Sequence, residues 1–205
     1  MKKNFFKRLI SSTILAPTIL TFVYLQGYYF YLLLFFVFLL GILETTNVKK
    51  AIYKYTIIFL LMLFIYCCYQ IMNFENGKTL IYLILILTWL SDMGGYVFGK
   101  FFGGKKINII SPNKTYMGFL GSIIFSQAIL LYGSFFNYKQ LYQFSSPIFI
   151  LFCTFFVIVG DLLFSMFKRR CGIKDFSNII PGHGGILDRV DGLIVLTIFF
   201  YFYSL

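Results

Sequence analysis

The chain has 205 residues, of which 60% are hydrophobic and only 12% are charged, whereas a soluble globular protein is roughly 45–50% apolar and about 25% charged. This small number of polar side chains cannot cover the surface of a globule in water, which excludes a soluble fold. The surface that polar side chains do not cover must face lipid. The 18 Lys and Arg against 7 Asp and Glu give a formal net charge of +11, which favours contact with anionic headgroups or anionic substrates.

Seven apolar runs along the chain are long enough to cross a bilayer as helices. An apolar layer about 30 Å thick needs about 20 helical residues. The chain is therefore predicted to be an all-α, polytopic membrane protein. The predicted spans are residues 9–27, 28–46, 55–73, 79–98, 116–136, 147–167 and 186–205.

The basic residues lie mostly on one side of these spans. All but Lys78 and Lys139 fall in the N-terminal tail or in the second, fourth and sixth connections. The positive-inside rule therefore places the N-terminus and the two long polar connections, 99–115 and 168–187, in the cytoplasm. Because the basic residues are confined to short connections, nucleic-acid binding is the weaker interpretation of the charge.

Four aspartates lie within or at the edge of predicted spans, where an unpaired carboxylate is costly. Asp92 lies near the cytoplasmic end of the fourth span, and Asp161 lies deeper in the sixth, two turns from the nearest basic residue along its helix. Asp188 and Asp191 open the seventh span on one helical face, with Arg189 rotated away. Each carboxylate alone could pair with a nearby Lys or Arg, but four on one membrane face favour a functional site.

The first long connection and its flanks are rich in glycine and lysine. Ser111, Pro112, Asn113, Lys114 and Thr115 immediately precede a predicted helix whose N-terminus would favour a phosphate. Glycines permit close backbone approach, so the stretch is a candidate polyphosphate cradle, although the P-loop pattern is absent and such a loop is also typical of a flexible connection. The glycines are Gly94, Gly95, Gly99, Gly103 and Gly104, and the other lysines are Lys100, Lys105 and Lys106.

The second long connection joins basic residues, glycines and carboxylates. Basic residues that face carboxylates across a glycine turn are typical of metal-bridged phosphoryl or nucleotidyl transfer. His183 has glycines on both sides and is either a turn residue bonded to the backbone or a substrate contact. The basic residues are Lys168, Arg169, Arg170 and Lys174.

This second connection resembles the signature of the phosphatidate cytidylyltransferase family, also called CDP-diacylglycerol synthase. The resemblance covers about residues 90–192, whereas the first three spans match only in hydropathy. The matching positions are S-x-F-K-R from Ser165, K-D at Lys174, P-x-H-G-G from Pro181 and D-R-V-D from Asp188, and upstream Asp92, Gly95-Tyr96, Gly99-Lys100 and Ser111 to Thr115 before Gly118.

The resemblance implies an integral membrane enzyme that converts CTP and phosphatidate to CDP-diacylglycerol and pyrophosphate with Mg²⁺, usually as a homodimer. It implies acidic site residues at Asp161, Asp188, Asp191 and Asp92. The chain departs from the family in two respects. It is shorter than most bacterial members, and Tyr116-Met117 stand where members often carry Trp followed by Glu or Gln.

We therefore expect a phosphate oxygen of phosphatidate to attack the α-phosphorus of CTP, with pyrophosphate leaving and Mg²⁺ held by Asp161, Asp188 and Asp191. We expect N-terminal spans over 1–78, a catalytic transmembrane domain over 79–205, and a bacterial inner-membrane location with the site on the cytoplasmic side. Lys114 is the fourth expected catalytic residue. The expected substrate contacts are Asp92, Ser111, Asn113, Lys168, Arg169, Lys174, His183 and Arg189.

Two other functions remain open at this point. A CTP-using polyprenol or phytol kinase would share a nucleotide site at the membrane edge but would release CDP. A transporter or channel would bury its carboxylates at the bilayer midplane and would need no basic cytoplasmic loops.

The orientation of the chain can be tested by chemical labelling. A cysteine introduced at Asn108 should react with a membrane-impermeant thiol reagent only after the inner face is exposed, because the basic residues hold that connection inside. Labelling of Asn108→Cys in intact cells would contradict the orientation.

Overall fold

The computed structural model describes residues 2–106, 114–131, 146–180 and 184–205, with only the backbone described for residues 2–10 and 12. In these ranges the secondary structure is α-helical apart from two isolated bridges. The all-α prediction is therefore confirmed. The helices are α1 Lys2–Leu25, α2 Gly27–Thr45, α3 Ala51–Met72, α4 Gly77–Phe101, α5 Tyr116–Gln127, α6 Pro147–Arg170 and α7 Leu187–Ser204.

Four of these helices, α2, α3, α4 and α6, are long and apolar enough to cross a bilayer. Two shorter apolar stretches, Thr13–Leu25 and Tyr116–Leu131, lie in α1 and across α5. The last helix, α7, is apolar after a charged beginning that carries Asp188, Arg189 and Asp191. The chain is therefore an integral membrane protein with several spanning helices.

Two helices continue beyond the predicted spans into the connections that carry the site. The α4 helix ends at Phe101 and α6 ends at Arg170, so the predicted connections 99–115 and 168–187 begin with helical residues. Hydropathy falls at the membrane boundary, but a helix continues until the backbone turns, here at Gly103 and Gly172 with φ of 58° and 70°. Of the predicted fifth span, 116–136, the residues after 131 lie outside the described ranges.

The helices α4 and α7 form the centre of the molecule. The α4 helix contacts α1, α3, α5, α6 and α7, and α7 also contacts α3 and α6. The α4–α5 contact is close because Gly94 and Gly121 face each other, and a Cβ on either one would overlap the other's carbonyl oxygen. Gly94 therefore serves helix packing, as small residues do in membranes.

A second close contact joins α6 to α7. A Cβ on Gly160 would lie 2.7 Å from the Asp191 carbonyl oxygen and 2.9 Å from the Gly192 Cα. Only hydrogen at Gly160 lets the two backbones approach so closely. This contact brings Asp161, the next residue on α6, alongside Asp191 on α7.

The α4–α5 contact gives a stability prediction with a matched control on the same helix. Gly94→Ala should lower the melting temperature of the detergent-solubilised protein, because its Cβ would meet backbone and the Phe125 side chain. Gly99→Ala should leave it unchanged or raise it, because the nearest atom would lie 3.4 Å away and alanine favours a helix by about 0.5–1 kcal/mol over glycine. Equal melting temperatures for the two variants would contradict the packing argument.

Candidate active site

A cavity of about 470 Å³ lies among α4, α5, α6 and α7. Its wall carries charged side chains from parts of the chain that are far apart in sequence. The charged residues of the wall are Asp92, Lys114, Asp161, Lys168, Asp175, Asp188, Arg189 and Asp191. Seven of these eight were predicted site residues, and Asp175 was not.

Lys114 pairs with Asp161 across the cavity. The Lys114 Nζ donates to Asp161 Oδ2 at 2.5 Å, and the two side chains are 27% and 28% exposed. The basic residues nearest to Asp161 along its own helix, Lys168 and Arg169, are two turns away. Its partner comes instead from the residue before the α5 N-cap, 47 positions earlier in the chain.

The start of α5 offers a phosphate fewer backbone donors than predicted. The amide of Tyr116 donates to the Lys105 carbonyl, and that of Phe119 donates to the Thr115 carbonyl. The amide of Gly118 donates to the Thr115 hydroxyl at 3.0 Å. The positive charge of Lys114 is therefore the main feature of this segment that would attract a phosphate. The predicted substrate contacts Ser111 and Asn113 lie outside the described residues.

Asp188 is buried and both of its carboxylate oxygens have donors within the chain. Oδ1 accepts from Lys168 Nζ at 2.6 Å, and Oδ2 accepts from the amides of Phe176 and Gly185 at 2.9 and 3.0 Å. The residue is 8% exposed. Asp188 thus ties the end of α6, the following connection and the start of α7 together.

Asp161, Asp188 and Asp191 do not converge on one point as predicted. In the ranges given above, no three His, Cys, Asp or Glu side chains come close enough together to hold a metal ion. Asp188 is turned toward Lys168 and the connection, whereas Asp191 lies within hydrogen-bonding reach of Asp161. The Asp191 Oδ1 also accepts the Gly192 amide at 2.9 Å.

Of the three aspartates predicted to hold Mg²⁺, Asp161 and Asp191 are the two that interact directly. Two carboxylates in contact repel each other unless a proton or a cation compensates their charge. Mg²⁺ usually binds one or two carboxylates and completes its shell with substrate phosphates and water. Asp92, on α4, also interacts electrostatically with Asp161 and Lys114. Its negative charge therefore adds to that of Asp161.

The predicted basic residues divide into two groups. Arg189 lines the cavity and interacts with Asp92, and its side chain is exposed whereas that of Asp188 is buried. Arg169 and Lys174 are exposed and do not line it, and His183 lies outside the described residues.

Sequence reasoning missed one buried carboxylate beside this site. Glu44, in the last turn of α2, is 1% exposed. It accepts from the Ser177 hydroxyl and from the amides of Ile186 and Leu187. The signal that identified Asp161, a carboxylate inside an apolar run, applies equally to Glu44 in the predicted second span.

The chain is similar to known enzymes over most of its length. Residues 47–205 match the model of the cytidylyltransferase family. The phosphatidate cytidylyltransferase of Rickettsia bellii is 32% identical over 210 residues, which cover 98% of this chain and 91% of that protein.

Two further relatives are more similar in sequence over a shorter part of the chain. The phosphatidate cytidylyltransferases of Staphylococcus haemolyticus and Bacillus subtilis are 39% and 38% identical, over 58% and 65% of this chain. The matches cover 46% and 50% of those proteins. The chain therefore spans about half the length of these two relatives.

The two ion pairs should differ in their effect on stability. Asp188→Asn should destabilise the protein by about 3–5 kcal/mol, because it leaves the Lys168 ammonium buried without its counter-charge. Asp161→Asn should cost about 1 kcal/mol or less, because the Lys114 pair is partly exposed. Thermal unfolding in detergent would measure both, and a larger loss for Asp161→Asn would contradict the distinction.

Proposed function

The chain belongs to the cytidylyltransferase family, and from this premise we propose that it transfers the cytidylyl group of CTP to phosphatidate, giving CDP-diacylglycerol and pyrophosphate. The observation that carries the proposal is the cavity at the ends of membrane helices, whose wall combines five aspartates with two lysines and an arginine. The relative aligned along nearly the whole chain is named for this activity.

The proposed reaction needs charge neutralisation more than it needs a base. A phosphate oxygen of phosphatidate attacks the α-phosphorus of CTP, a new P–O bond forms, and the bond to the leaving pyrophosphate breaks. Because the attacking phosphate is already ionised at neutral pH, no side chain has to remove a proton. The site must instead hold two anionic substrates together, and positive groups serve that purpose.

Lys114 and Arg189 are the positive groups most available to the substrates. The Lys114 ammonium is partly exposed in its pair with Asp161, so a phosphate can reach it. The Arg189 side chain is exposed to the cavity, and a guanidinium can bind two phosphate oxygens at once. Lys168 is more buried and is held by Asp188, so we assign it to supporting the site.

We further propose that Mg²⁺ is the cofactor and that Asp161 and Asp191 hold it. The bound ion would neutralise phosphate oxygens of CTP. Asp92 would add negative charge beside these two residues. Asp188 is left out of this set because its oxygens already accept from Lys168 and two amides.

The wall of the cavity also suits a substrate with a polar head and apolar tails. Phe119, Val157 and Ile158 line it together with the charged residues. A lipid headgroup could enter between these side chains while its acyl chains stay in the bilayer. We propose a bacterial inner-membrane location with the cavity open to the cytoplasm, where CTP is available, and a homodimeric assembly.

CTP labelled at one chosen phosphorus tests the proposal against lipid kinase activity. Purified protein is incubated with phosphatidate, Mg²⁺ and CTP labelled either at the α- or at the γ-phosphorus. The α-label should appear in the lipid phase and the γ-label in pyrophosphate, and chelation of Mg²⁺ should stop both. Transfer of the γ-label to a lipid acceptor, or no label in lipid, would contradict the proposed function.

Lys114 should be important for turnover. Lys114→Ala should lower turnover by about two orders of magnitude, the usual cost of losing one group that stabilises transition-state charge. Lys78→Ala is the matched control, because Lys78 lies at the opposite end of α4 from the cavity, beside the Tyr24 ring. Turnover of Lys114→Ala equal to that of the control would remove Lys114 from the site.

A further inference from the structure

We propose that Glu44 is a positioning residue that holds Asp188 and Asp191 in place at the cavity. Its effect on catalysis rests on the proposed function, whereas its effect on the geometry of the cavity does not. The proposal extends the functional unit to α2, which precedes the residues that match the cytidylyltransferase family.

Glu44 is buried without an ionic partner. Neither ion pair found among the described residues includes it, and its charge is compensated by three hydrogen bonds. Oε1 accepts from the Ser177 hydroxyl at 2.7 Å and from the Ile186 amide at 2.7 Å, and Oε2 accepts from the Leu187 amide at 2.8 Å. So many donors on one buried carboxylate indicate a fixed position.

Glu44 supplies the N-terminal cap that α7 lacks in its own sequence. The residue at the N-cap position is Ile186, whose side chain cannot accept a hydrogen bond. Glu44 accepts the Ile186 amide from 142 positions away in the chain. A negative charge at a helix N-terminus is favourable, so Glu44 stabilises the start of α7, the helix that carries Asp188 and Asp191.

Glu44 and Asp188 act on the same two segments. At the start of α7, the Gly185 amide donates to Asp188, and the next two amides, of Ile186 and Leu187, donate to Glu44. In the connection after α6, the Phe176 amide donates to Asp188 and the neighbouring Ser177 hydroxyl donates to Glu44. Loss of the Glu44 carboxylate should therefore also loosen the bonds that orient Asp188.

Two further contacts fix this arrangement. Asn47 Nδ2, just beyond the end of α2, donates to the Phe176 carbonyl at 2.7 Å. A Cβ on Gly185 would overlap the Glu44 carboxylate, which explains why a residue without a side chain stands there. Asp191 lies one turn after Asp188 on α7, so a displaced helix start would also shift it relative to Asp161.

Hydrogen–deuterium exchange resolved to single amides tests the positioning role without requiring activity. In Glu44→Gln the Ile186 and Leu187 amides should exchange about ten- to a hundredfold faster, the effect expected from loss of a charged acceptor. If Glu44 positions Asp188, the Phe176 and Gly185 amides should exchange faster as well. Faster exchange confined to Ile186 and Leu187, or no change, would overturn the proposal.

Two other variants make the comparison interpretable. Ser177→Ala removes one donor but keeps the carboxylate, so it should accelerate the same four amides by a smaller factor, and it replaces Glu44→Gln if that variant does not fold. Glu75→Gln is the matched control, because it makes the same chemical change at an exposed residue between α3 and α4. Acceleration in the control equal to that in Glu44→Gln would also overturn the proposal.

Turnover per folded molecule separates positioning from a purely structural role. In monodisperse Glu44→Gln, kcat should fall at least about tenfold, and the yield of folded protein alone should not account for the loss. A normal kcat with a reduced yield would make Glu44 structural and overturn its positioning role. If the wild-type protein forms no cytidylyl lipid, the proposed function fails, while the exchange pattern still decides the role of Glu44.

Discussion

The need to compensate carboxylates at the edge of an apolar layer is the constraint on which this structure depends. A charge is costly there unless a partner or a hydrogen-bond donor compensates it. The chain meets this need in three ways. Asp161 forms an ion pair with Lys114, and Asp188 accepts hydrogen bonds from Lys168 and two amides. Glu44 accepts hydrogen bonds at the start of α7. Each solution joins different segments of the chain, so the same charges organise both the fold and the cavity.

Close helix contacts make these pairings geometrically possible. Gly94 and Gly121 let α4 and α5 approach, and α5 carries Lys114 at its beginning. Gly160 lets α6 approach α7, which brings Asp161 and Asp191 together. These three glycines thus act on the site indirectly, by setting the distances between the helices that carry the charged side chains.

The sequence predicts the composition of the site better than its internal pairing. Hydropathy identifies the helices, and the cost of a carboxylate in lipid identifies Asp161 and Asp188 as residues that need an explanation. Pairings such as that of Lys114 with Asp161 depend on which helices pack together, and periodicity along one helix does not contain that information. The same limit explains why Glu44 was overlooked.

For the proposed substrates, the Lys114–Asp161 pair makes binding at this cavity an exchange of partners. A phosphate that binds the Lys114 ammonium must displace the Asp161 carboxylate, which lies 2.5 Å from it. The electrostatic gain on binding is therefore the difference between two ion pairs and not the full value of one. Such a site can hold a polyanion without binding it so tightly that its products are slow to leave.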